Sequence, residues 1–402
     1  MSTNWNLISL GDLGVLRFRG ADAVRFLQGQ VSNDVERLSA ERSQLAGYHN
    51  PQGRTIALLR LVQLAPDDVV AVLPRELIAT VAGRLGKFVL RAKVKIADDS
   101  AAWRVEGLVA PRGADGRGSD RHAASEARVK EPTGPGKGGA VGAGVTGKAS
   151  ADTADARENA DTTAAFEARA KSWAATQFEQ AHAVAATVGE LSSAAAQLEE
   201  AESVVPLPLA SASMLPEAVH AQALSGGTVI VRVGAMPARW LVLSPAGEPG
   251  LLAGCDAAGR DVWRLLDIAD GEAQVYGGTS EEFVAQMLNL DALDAIAFDK
   301  GCYTGQEVIA RAHYRGRVKR RLQRFVSRGA ATLAVGESGT LADGRGFKVV
   351  EAVSLTDGRC EFLAVAPMGA AAGADATDAP QATRSAPMID AEVLTLPYPL
   401  PE

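Results

Sequence analysis

A short motif, KGCYTGQE at residues 300–307, combines three side chains that can do chemistry. Cys302 carries a thiol, Lys300 carries a cation just before it, and Glu307 supplies a carboxylate after it. The thiolate form of cysteine is a nucleophile and a metal ligand, and nearby positive charge lowers a thiol pKa. The motif therefore predicts a reactive thiol or, as for most free cysteines, a small side chain that packs in the core.

The motif also predicts the helix that positions these groups. Thr304 followed by Glu307 matches a capping box, so a helix is expected over residues 304–313, TGQEVIARAH. Cys302 then lies just before the helix N-terminus, where the macrodipole and Lys300 together favour the thiolate. Glu307 has two competing interpretations, because its oxygens can cap the helix or accept paired N–H donors from a ligand.

A basic stretch follows the motif in a chain whose net charge is -7. It contains Arg311, Arg315, Arg317, Lys319, Arg320, Arg321 and Arg324. The negative total argues against attraction of the whole protein to nucleic acid or anionic membrane, although a local patch can still bind either. This patch suits phosphates or a polyglutamate tail, and a solvated basic edge is the alternative.

Composition and cysteine usage bound the class of protein. A chain of 402 residues with 47% apolar and 22% charged residues suits a globular protein of two or three domains. Cys255, Cys302 and Cys360 are far apart and form no CxxC pair, which predicts neither a disulfide framework nor a metal site. The start lacks a secretory signal pattern, and no apolar run is long enough to span a bilayer. We expect a cytoplasmic protein with no membrane partner.

The first of four predicted regions is an α+β domain at residues 1–111. Its strand candidates are VLRFRG, RTIALLRLVQL and DDVVAVL, and its helix candidate is ADAVRFLQGQV. In RAKVKIA, the apolar Ala92, Val94 and Ile96 alternate with three cations, which predicts a half-exposed strand. The irregular mixture of strands and helices is typical of an α+β domain.

Three further regions follow. Residues 112–225 are rich in Ala and Gly, so they are expected to form a flexible insertion in which His122, His182 and His220 are solvated. Residues 226–321 return to regular structure, with strands GGTVIVRV and RWLVLS and a helix over residues 280–293, SEEFVAQMLNLDAL. Residues 322–402 predict a small β-barrel with strands LQRFVS, KVVEAVSL and EFLAVAP.

Several motifs resemble one protein family. KGCYTGQE and the following ARAHYRGRVKR resemble the signature of the YgfZ-type folate-binding proteins. LRFRGADAVRFLQGQVSNDV, YHNPQGR, WRLLDIADGEAQV and FVAQMLNLDALDAIAFDKGCYTGQE resemble the same family in the same order. These proteins are iron–sulfur cluster maintenance factors, once described as tRNA-modifying, and share the fold of the glycine cleavage T-protein. The resemblance implies an α+β, T-protein-like folate-binding core with a small C-terminal β-barrel, and tetrahydrofolate or a derivative as cofactor.

The resemblance also implies roles for individual residues. Cys302 would be the functional thiol with Lys300 beside it, and Glu307 would take the place of the T-protein carboxylate that reads the pterin. Trp263 matches one of two family tryptophans associated with folate, whereas Leu13 occupies the place of the other. Further pocket residues are expected in the matched segments, with core packing or capping as the alternative: Asp267, Gln286, Asn289, Tyr303 and Gln306.

Three functions follow from these expectations. The favoured one is a tetrahydrofolate-binding accessory factor that serves iron–sulfur client proteins and indirectly supports tRNA modification. The second is an aminomethyltransferase-like one-carbon transferase, but QGRTIALL offers Ile56 and Ala57 where the T-protein has its central aspartate. The third is an RNA-binding module, with a weak nucleic-acid contact through Arg315, Arg317, Lys319, Arg320 and Arg321.

Overall fold

The structure is a computed structural model that describes most of the chain outside the predicted insertion. It describes residues 5–110, 215–235, 237–247, 256–257, 259–316, 318–369 and 387–401. Most of the region 112–225 therefore lies outside the described residues, together with Arg317 and Cys255. Within the described ranges, no helix has both the length and the apolar character needed to cross a membrane.

The described elements confirm the expected mixture of strands and helices. The strands are β1 (Asn6–Ser9), β2 (Leu13–Arg19), β3 (Gln44–His49), β4 (Thr55–Ala65), β5 (Asp68–Pro74), β6 (Lys95–Asp98), β7 (Trp103–Val109), β8 (Gln222–Ser225), β9 (Thr228–Gly234), β10 (Arg239–Pro245), β11 (Asp256–Ala257), β12 (Arg320–Ser327), β13 (Ser338–Leu341), β14 (Gly346–Ser354), β15 (Cys360–Pro367), β16 (Met388–Ile389) and β17 (Ala391–Leu394). The α-helices are α1 (Ala23–Gln28), α2 (Ile78–Gly86), α3 (Arg260–Asp270) and α4 (Gln306–Tyr314).

One sheet of the described residues is buried on both faces. Its order is β3-β4-β5-β2-β6, and all of its neighbouring strands are antiparallel. Along β5, Val69, Ala71 and Leu73 pack in one hydrophobic cluster, while Val70 and Val72 pack in another. Since successive side chains point to opposite faces, the continuous apolar run DDVVAVL is explained by burial on both sides.

A second sheet packs against the first through a shared hydrophobic cluster. Its order in the described residues is β11-β1-β7-β10-β9-β8. Val229 and Leu241 of this sheet lie in the same cluster as Val70 and Val72. The edge strand β8 falls inside the range 112–225 that the sequence assigned to the insertion, so residues 222–225 belong to the folded core instead.

The C-terminal sheet is a nearly closed barrel, as the sequence predicts. Its order is β16-β13-β14-β15-β12-β17 in the described residues. β16 and β17 lie at opposite edges of the sheet but are separated in sequence by Asp390 alone. The chain therefore joins the two edges and curls the sheet. Phe325, Phe347 and Phe362 fill its interior.

The helix expected over residues 280–293 is not formed. The segment contains a short 3-10 helix, Ala285–Leu288, and turns on either side of it. Glu281 (φ 63°) and Asn289 (φ 56°) are in the left-handed region, which an α-helix does not contain. The backbone N–H of Glu281 instead donates to the carbonyl of Thr55, which attaches the segment to β4.

Candidate functional site

Two of the family-like motifs meet through their glycines. Gly305, in KGCYTGQE, has φ 84°, and a Cβ there would lie 2.5 Å from the carbonyl oxygen of Asn50. Gly53, in YHNPQGR, has φ 71°, and a Cβ there would lie 3.0 Å from the Cβ of Val308. Both positions thus need glycine for conformation and for close approach. Their contact fixes the start of α4 against the turn after β3.

Asn50 organises that turn. Its Oδ1 accepts hydrogen bonds from the backbone N–H groups of Gln52 and Arg54, each at 3.0 Å. Its Nδ2 donates to the carboxylate of Glu281 at 2.9 Å, and Arg84 forms an ion pair with the same carboxylate. The turn is therefore held by its own side chain and by the irregular segment that replaces the expected helix.

Lys300 is anchored to backbone carbonyls near the end of α1. Its Nζ donates to the carbonyl oxygens of Gln28, Val31 and Asn33 at 2.8, 2.9 and 2.6 Å. Three acceptors match the three N–H bonds of an ammonium group. Burial lowers the pKa of Lys300 to about 8, against the opposing effect of nearby Asp34. The lysine remains mostly charged near neutral pH, and its cation binds the backbone.

Tyr303, the residue after Cys302, is fixed in the core. Its ring is buried, lies 6.4 Å from the His49 ring, and has the Lys300 ammonium 5.3 Å from its centroid. Burial raises the pKa of Tyr303 to about 12. Cys302 lies between the two anchored residues and is exposed. The packing alternative for this thiol is therefore wrong, whereas Cys360 is buried and burial raises its pKa to about 11.

The predicted capping box is not formed, although the predicted helix is. α4 begins at Gln306 with Gly305 as its N-cap, and no side chain caps it. The glycine, rather than Thr304, occupies the cap because the contact with Asn50 requires its left-handed conformation. Gln306 donates through Nε2 to the carbonyl of Lys300 at 3.5 Å. Glu307 is exposed in the first helical turn, so its carboxylate is available to a ligand.

A cavity of about 540 Å³ runs along the outer face of α4. Its described lining consists of Glu307, Ala310, Arg311, Tyr314 and Arg315. These positions are three or four residues apart and therefore share one face of the helix. The opposite face buries Ile309. A carboxylate, an aromatic ring and two guanidinium groups thus meet in one cavity.

An aromatic cluster supports the far end of this face. The ring of His313 stacks on Phe298, with centroids 3.8 Å apart. Tyr314 meets Phe298 edge-on at 6.1 Å and is itself 68% exposed. The exposed tyrosine ring is therefore supported on one side and open to solvent on the other.

Gln286 and Asn289 support the site from beneath. Both are fully buried. Gln286 donates through Nε2 to the carbonyl of Ile309 in α4 at 2.7 Å, and Asn289 donates to the carbonyl of Leu322 at 3.0 Å. Arg321 donates to the carbonyl of Gln286 and pairs with Asp291, which leaves the arginine only 4% exposed.

Trp263 and Asp267 lie in a different part of the core. Trp263 is 4% exposed and packs in the cluster between the two sheets, together with Leu13, whereas Tyr303 packs in another cluster. The guanidinium of Arg239 lies 4.8 Å from the Trp263 ring and forms a 2.5 Å ion pair with Asp267. Burial nevertheless raises the pKa of Asp267 to about 6. The structure does not bring these two residues to the α4 cavity.

The basic stretch separates into exposed and occupied residues. Arg315 and Lys319 are exposed. Arg320 is half-buried and donates to the carbonyl of Gly346, while Arg321 is in the ion pair with Asp291. Arg317 lies outside the described residues. Of the exposed cations in the stretch, Arg311 and Arg315 lie on the α4 face.

Two further histidines of the described residues are at least partly buried. His49, inside the YHNPQGR motif, is fully buried and hydrogen-bonded to Thr55 at 3.3 Å. His220, expected to be solvated, is instead half-buried and contacts Arg60 at 3.1 Å. His122 and His182 lie outside the described residues. In the described part of the chain, no group of three or more His, Cys, Asp or Glu side chains could hold a metal ion.

Comparisons with known proteins agree with the motifs. No protein-family model matches the chain. The tRNA-modifying protein YgfZ of Serratia proteamaculans is 25% identical over 361 residues, which cover 88% of this chain and 81% of that protein. The same-named protein of Pectobacterium carotovorum is 28% identical over 322 residues, covering 79% and 68%. The chain is therefore similar to the YgfZ proteins over most of its length.

A solved structure with low sequence identity shares the fold of this chain. The crystal structure of glycine cleavage system aminomethyltransferase T from Bartonella henselae matches with a TM-score of 0.54. The match covers 91% of this chain and 79% of that protein at 13% identity. The predicted T-protein-like fold is thereby confirmed.

Proposed function

We propose that the chain binds tetrahydrofolate, or a derivative of it, along the outer face of α4. One observation carries the proposal: Glu307, Tyr314, Arg311 and Arg315 line a single cavity. A folate presents paired N–H donors on its pterin, flat aromatic rings, and carboxylates at its glutamate end. The cavity offers a carboxylate, an aromatic ring and cations for these groups, so its residues fit the ligand. When bound, a tetrahydrofolate supplies ring nitrogens that carry one-carbon units.

Replacement of Glu307 by Gln tests this site. The variant keeps the shape of the side chain but offers one acceptor where the carboxylate offers two. Loss of a charged hydrogen-bonding partner should weaken tetrahydrofolate binding by roughly tenfold to a hundredfold, measured by titration calorimetry. Glu392→Gln is the matched control, because that carboxylate is exposed on the barrel strand β17. Equal affinities for Glu307→Gln and the unmodified chain would contradict the proposal.

We infer that the folate-bound protein acts in the cytoplasm as an accessory factor for the assembly or repair of iron–sulfur proteins, which indirectly supports tRNA modification. The name of the relatives, tRNA-modifying protein YgfZ, supports the link to tRNA modification, and the exposed thiol of Cys302 supports a thiol-dependent step. A stable iron–sulfur cluster normally takes four protein ligands. Cys302 would therefore hold a sulfur species or a cluster iron of the client only transiently.

A rescue experiment tests the role of the thiol. Cys302→Ser should unfold at the same temperature as the unmodified chain, because the side chain is exposed and packs in no core cluster. It should fail to restore an iron–sulfur enzyme activity in a strain that lacks its own YgfZ protein. Cys360→Ala, which removes a buried thiol, should retain rescue. Full rescue by Cys302→Ser would contradict a functional thiol.

Aminomethyl transfer is the alternative that the site supports least. Ile56 and Ala57 occupy the position of the T-protein aspartate and are buried in β4 at 2% and 0% exposure. The nearby Glu281 carboxylate is engaged by Arg84 and Asn50. We expect tetrahydrofolate binding without turnover of an aminomethyl donor. A steady-state assay that shows turnover would favour the transferase instead.

RNA contact is a second candidate for the same face. Tyr314 is 68% exposed between the cations of Arg311 and Arg315, with exposed Lys319 beyond them. Exposed aromatic rings can stack on bases while cations contact phosphates. We expect weak tRNA binding that falls as salt rises and is reduced in an Arg315→Gln, Lys319→Gln double variant. Tetrahydrofolate should compete for the face. No binding at low salt would remove this candidate.

A further inference from the structure

A tight turn after α2 exposes a leucine in a backbone conformation that suits it poorly. The backbone N–H of Ala92 donates to the carbonyl of Val89 at 2.7 Å, which closes the turn. Leu90 lies inside it with φ 23° and is 90% exposed. Positive φ in a turn favours glycine or asparagine, and an exposed leucine gains no burial. The fold alone gives no reason for a leucine here.

The segment around Leu90 is held rigidly by its neighbours. Val89, Ala92 and Val94 pack against the main core, while Phe88, two residues before Leu90, is 50% exposed. A Cβ on Gly20 would lie 2.1 Å from the carbonyl oxygen of Lys93. The backbone of Lys93 also exchanges hydrogen bonds with Asp22, at 2.7 and 3.3 Å. Two apolar side chains are thus presented from a fixed base.

Four cations lie in the same segment as the two exposed apolar side chains. Lys87, Arg91, Lys93 and Lys95 are all exposed. Among the described residues, none of the four forms a salt bridge, whereas Arg17 and Arg19 on the neighbouring strand β2 both pair with Asp68. The segment 87–95, called the Leu90 tip here, therefore combines unpaired positive charge with exposed apolar surface in a chain of net charge -7.

We propose that the Leu90 tip docks on an anionic phospholipid surface. A leucine that projects into solvent can be buried only by entering a partner, and it offers nothing to phosphates or nucleic-acid bases. At a bilayer surface, apolar side chains enter the boundary between headgroups and acyl chains while lysine and arginine contact anionic headgroups. The lipid surface satisfies both parts of the tip, which favours it over RNA.

The net negative charge of the chain does not prevent this contact. Charges separated by more than about 8 Å in physiological salt are largely screened, so the local cations dominate close to the membrane. The total charge of the chain predicts no membrane partner, but the cations clustered near Leu90 in the sequence supply a local attraction that the total charge does not reflect. The contact is peripheral and reversible, and it is independent of the folate proposal.

Vesicle co-sedimentation of the full chain tests the proposal. We expect binding to vesicles of phosphatidylglycerol mixed with phosphatidylcholine, loss of binding as salt rises, and no binding to phosphatidylcholine alone. Leu90→Asn should weaken the partition roughly tenfold. Its thermal unfolding midpoint should stay equal or rise, because asparagine tolerates positive φ. A Lys93→Gln, Lys95→Gln double variant should weaken the partition roughly thirtyfold.

Leu224→Asn is the matched control, since Leu224 is 49% exposed on the edge strand β8, away from the tip in sequence. Its partition should equal that of the unmodified chain. The proposal is overturned if the unmodified chain does not bind the anionic vesicles, or if Leu90→Asn binds them equally well. Binding of tRNA that is lost in the lysine variant, without any vesicle binding, would assign the tip to nucleic acid instead.

Discussion

At the scale of single residues, the structure changes the role expected of Lys300. The sequence places its charge beside Cys302, but the ammonium binds three backbone carbonyls between α1 and the strand β3. Lys300 thus holds the backbone on which the thiol is presented. Together with buried Tyr303, it turns the intervening Cys302 outward. Lys300 is a positioning residue for the thiol.

Replacement of Lys300 by Met tests this positioning role. The variant retains the length of the side chain but leaves three carbonyls without their donor. We expect a loss of about 3 kcal/mol in the free energy of unfolding, measured with urea. Lys319→Met, at an exposed position, should change it by less than about 0.5 kcal/mol. Equal stability of the two variants would show that the carbonyl contacts contribute nothing measurable.

At the scale of elements, the site depends on the contact between α4 and the turn after β3. The contact is made by backbone, because Gly305 and Gly53 leave no room for a side chain. It explains why α4 begins at a glycine and why Glu307 is free of a capping role. The buried amide of Gln286 then fixes the same helix from below through Ile309.

Alanine at Gly305 should damage this contact. The residue would need φ 84° and a Cβ only 2.5 Å from the Asn50 carbonyl oxygen. We expect a loss of about 2 kcal/mol or more in unfolding free energy. Gly301→Ala is the matched control four residues away, because a Cβ there meets nothing within 4 Å. If both variants unfold at the same temperature, the close approach does not govern stability.

At the scale of the whole molecule, two neutral histidines, one buried and one half-buried, couple folding to pH. Burial lowers the pKa of His49 to about 3, and burial with the nearby Arg60 lowers that of His220 to about 4. The unfolded chain takes up protons on these histidines below their ordinary pKa of about 6.5, whereas the folded chain does not. Their contribution to stability is therefore present above that pH and lost as pH falls toward 4.

Urea unfolding at pH 7 and pH 5 tests this coupling. Between these values, His220 alone should remove about 2 kcal/mol from the unfolding free energy. A His220→Gln variant should lose less on acidification by about that amount, and the difference between the two chains cancels the contributions of other titrating groups. Identical pH dependence of the two chains would mean that His220 titrates alike in the folded and unfolded states.

The sequence by itself determined several of the strands, the α+β class, the C-terminal barrel and the helix after the motif. These features depend on local apolar patterns, and the family-like motifs are likewise contiguous in the chain. DDVVAVL predicted a buried strand for this reason. The strand expected over RAKVKIA is only partly formed: it begins at Lys95, because the backbone N–H of Ala92 closes a turn with Val89.

Only the tertiary structure decided how the motif residues are used. Glycine displaced Thr304 as the helix cap because of a contact with Asn50, which lies about 250 positions away in the chain. The ammonium of Lys300 binds carbonyls that are remote in sequence instead of acting on the thiol. The segment 280–293 forms hydrogen bonds with β4 instead of an α-helix. In each case a contact between residues remote in sequence outweighed a local preference, because local preferences are worth about 1 kcal/mol or less per residue.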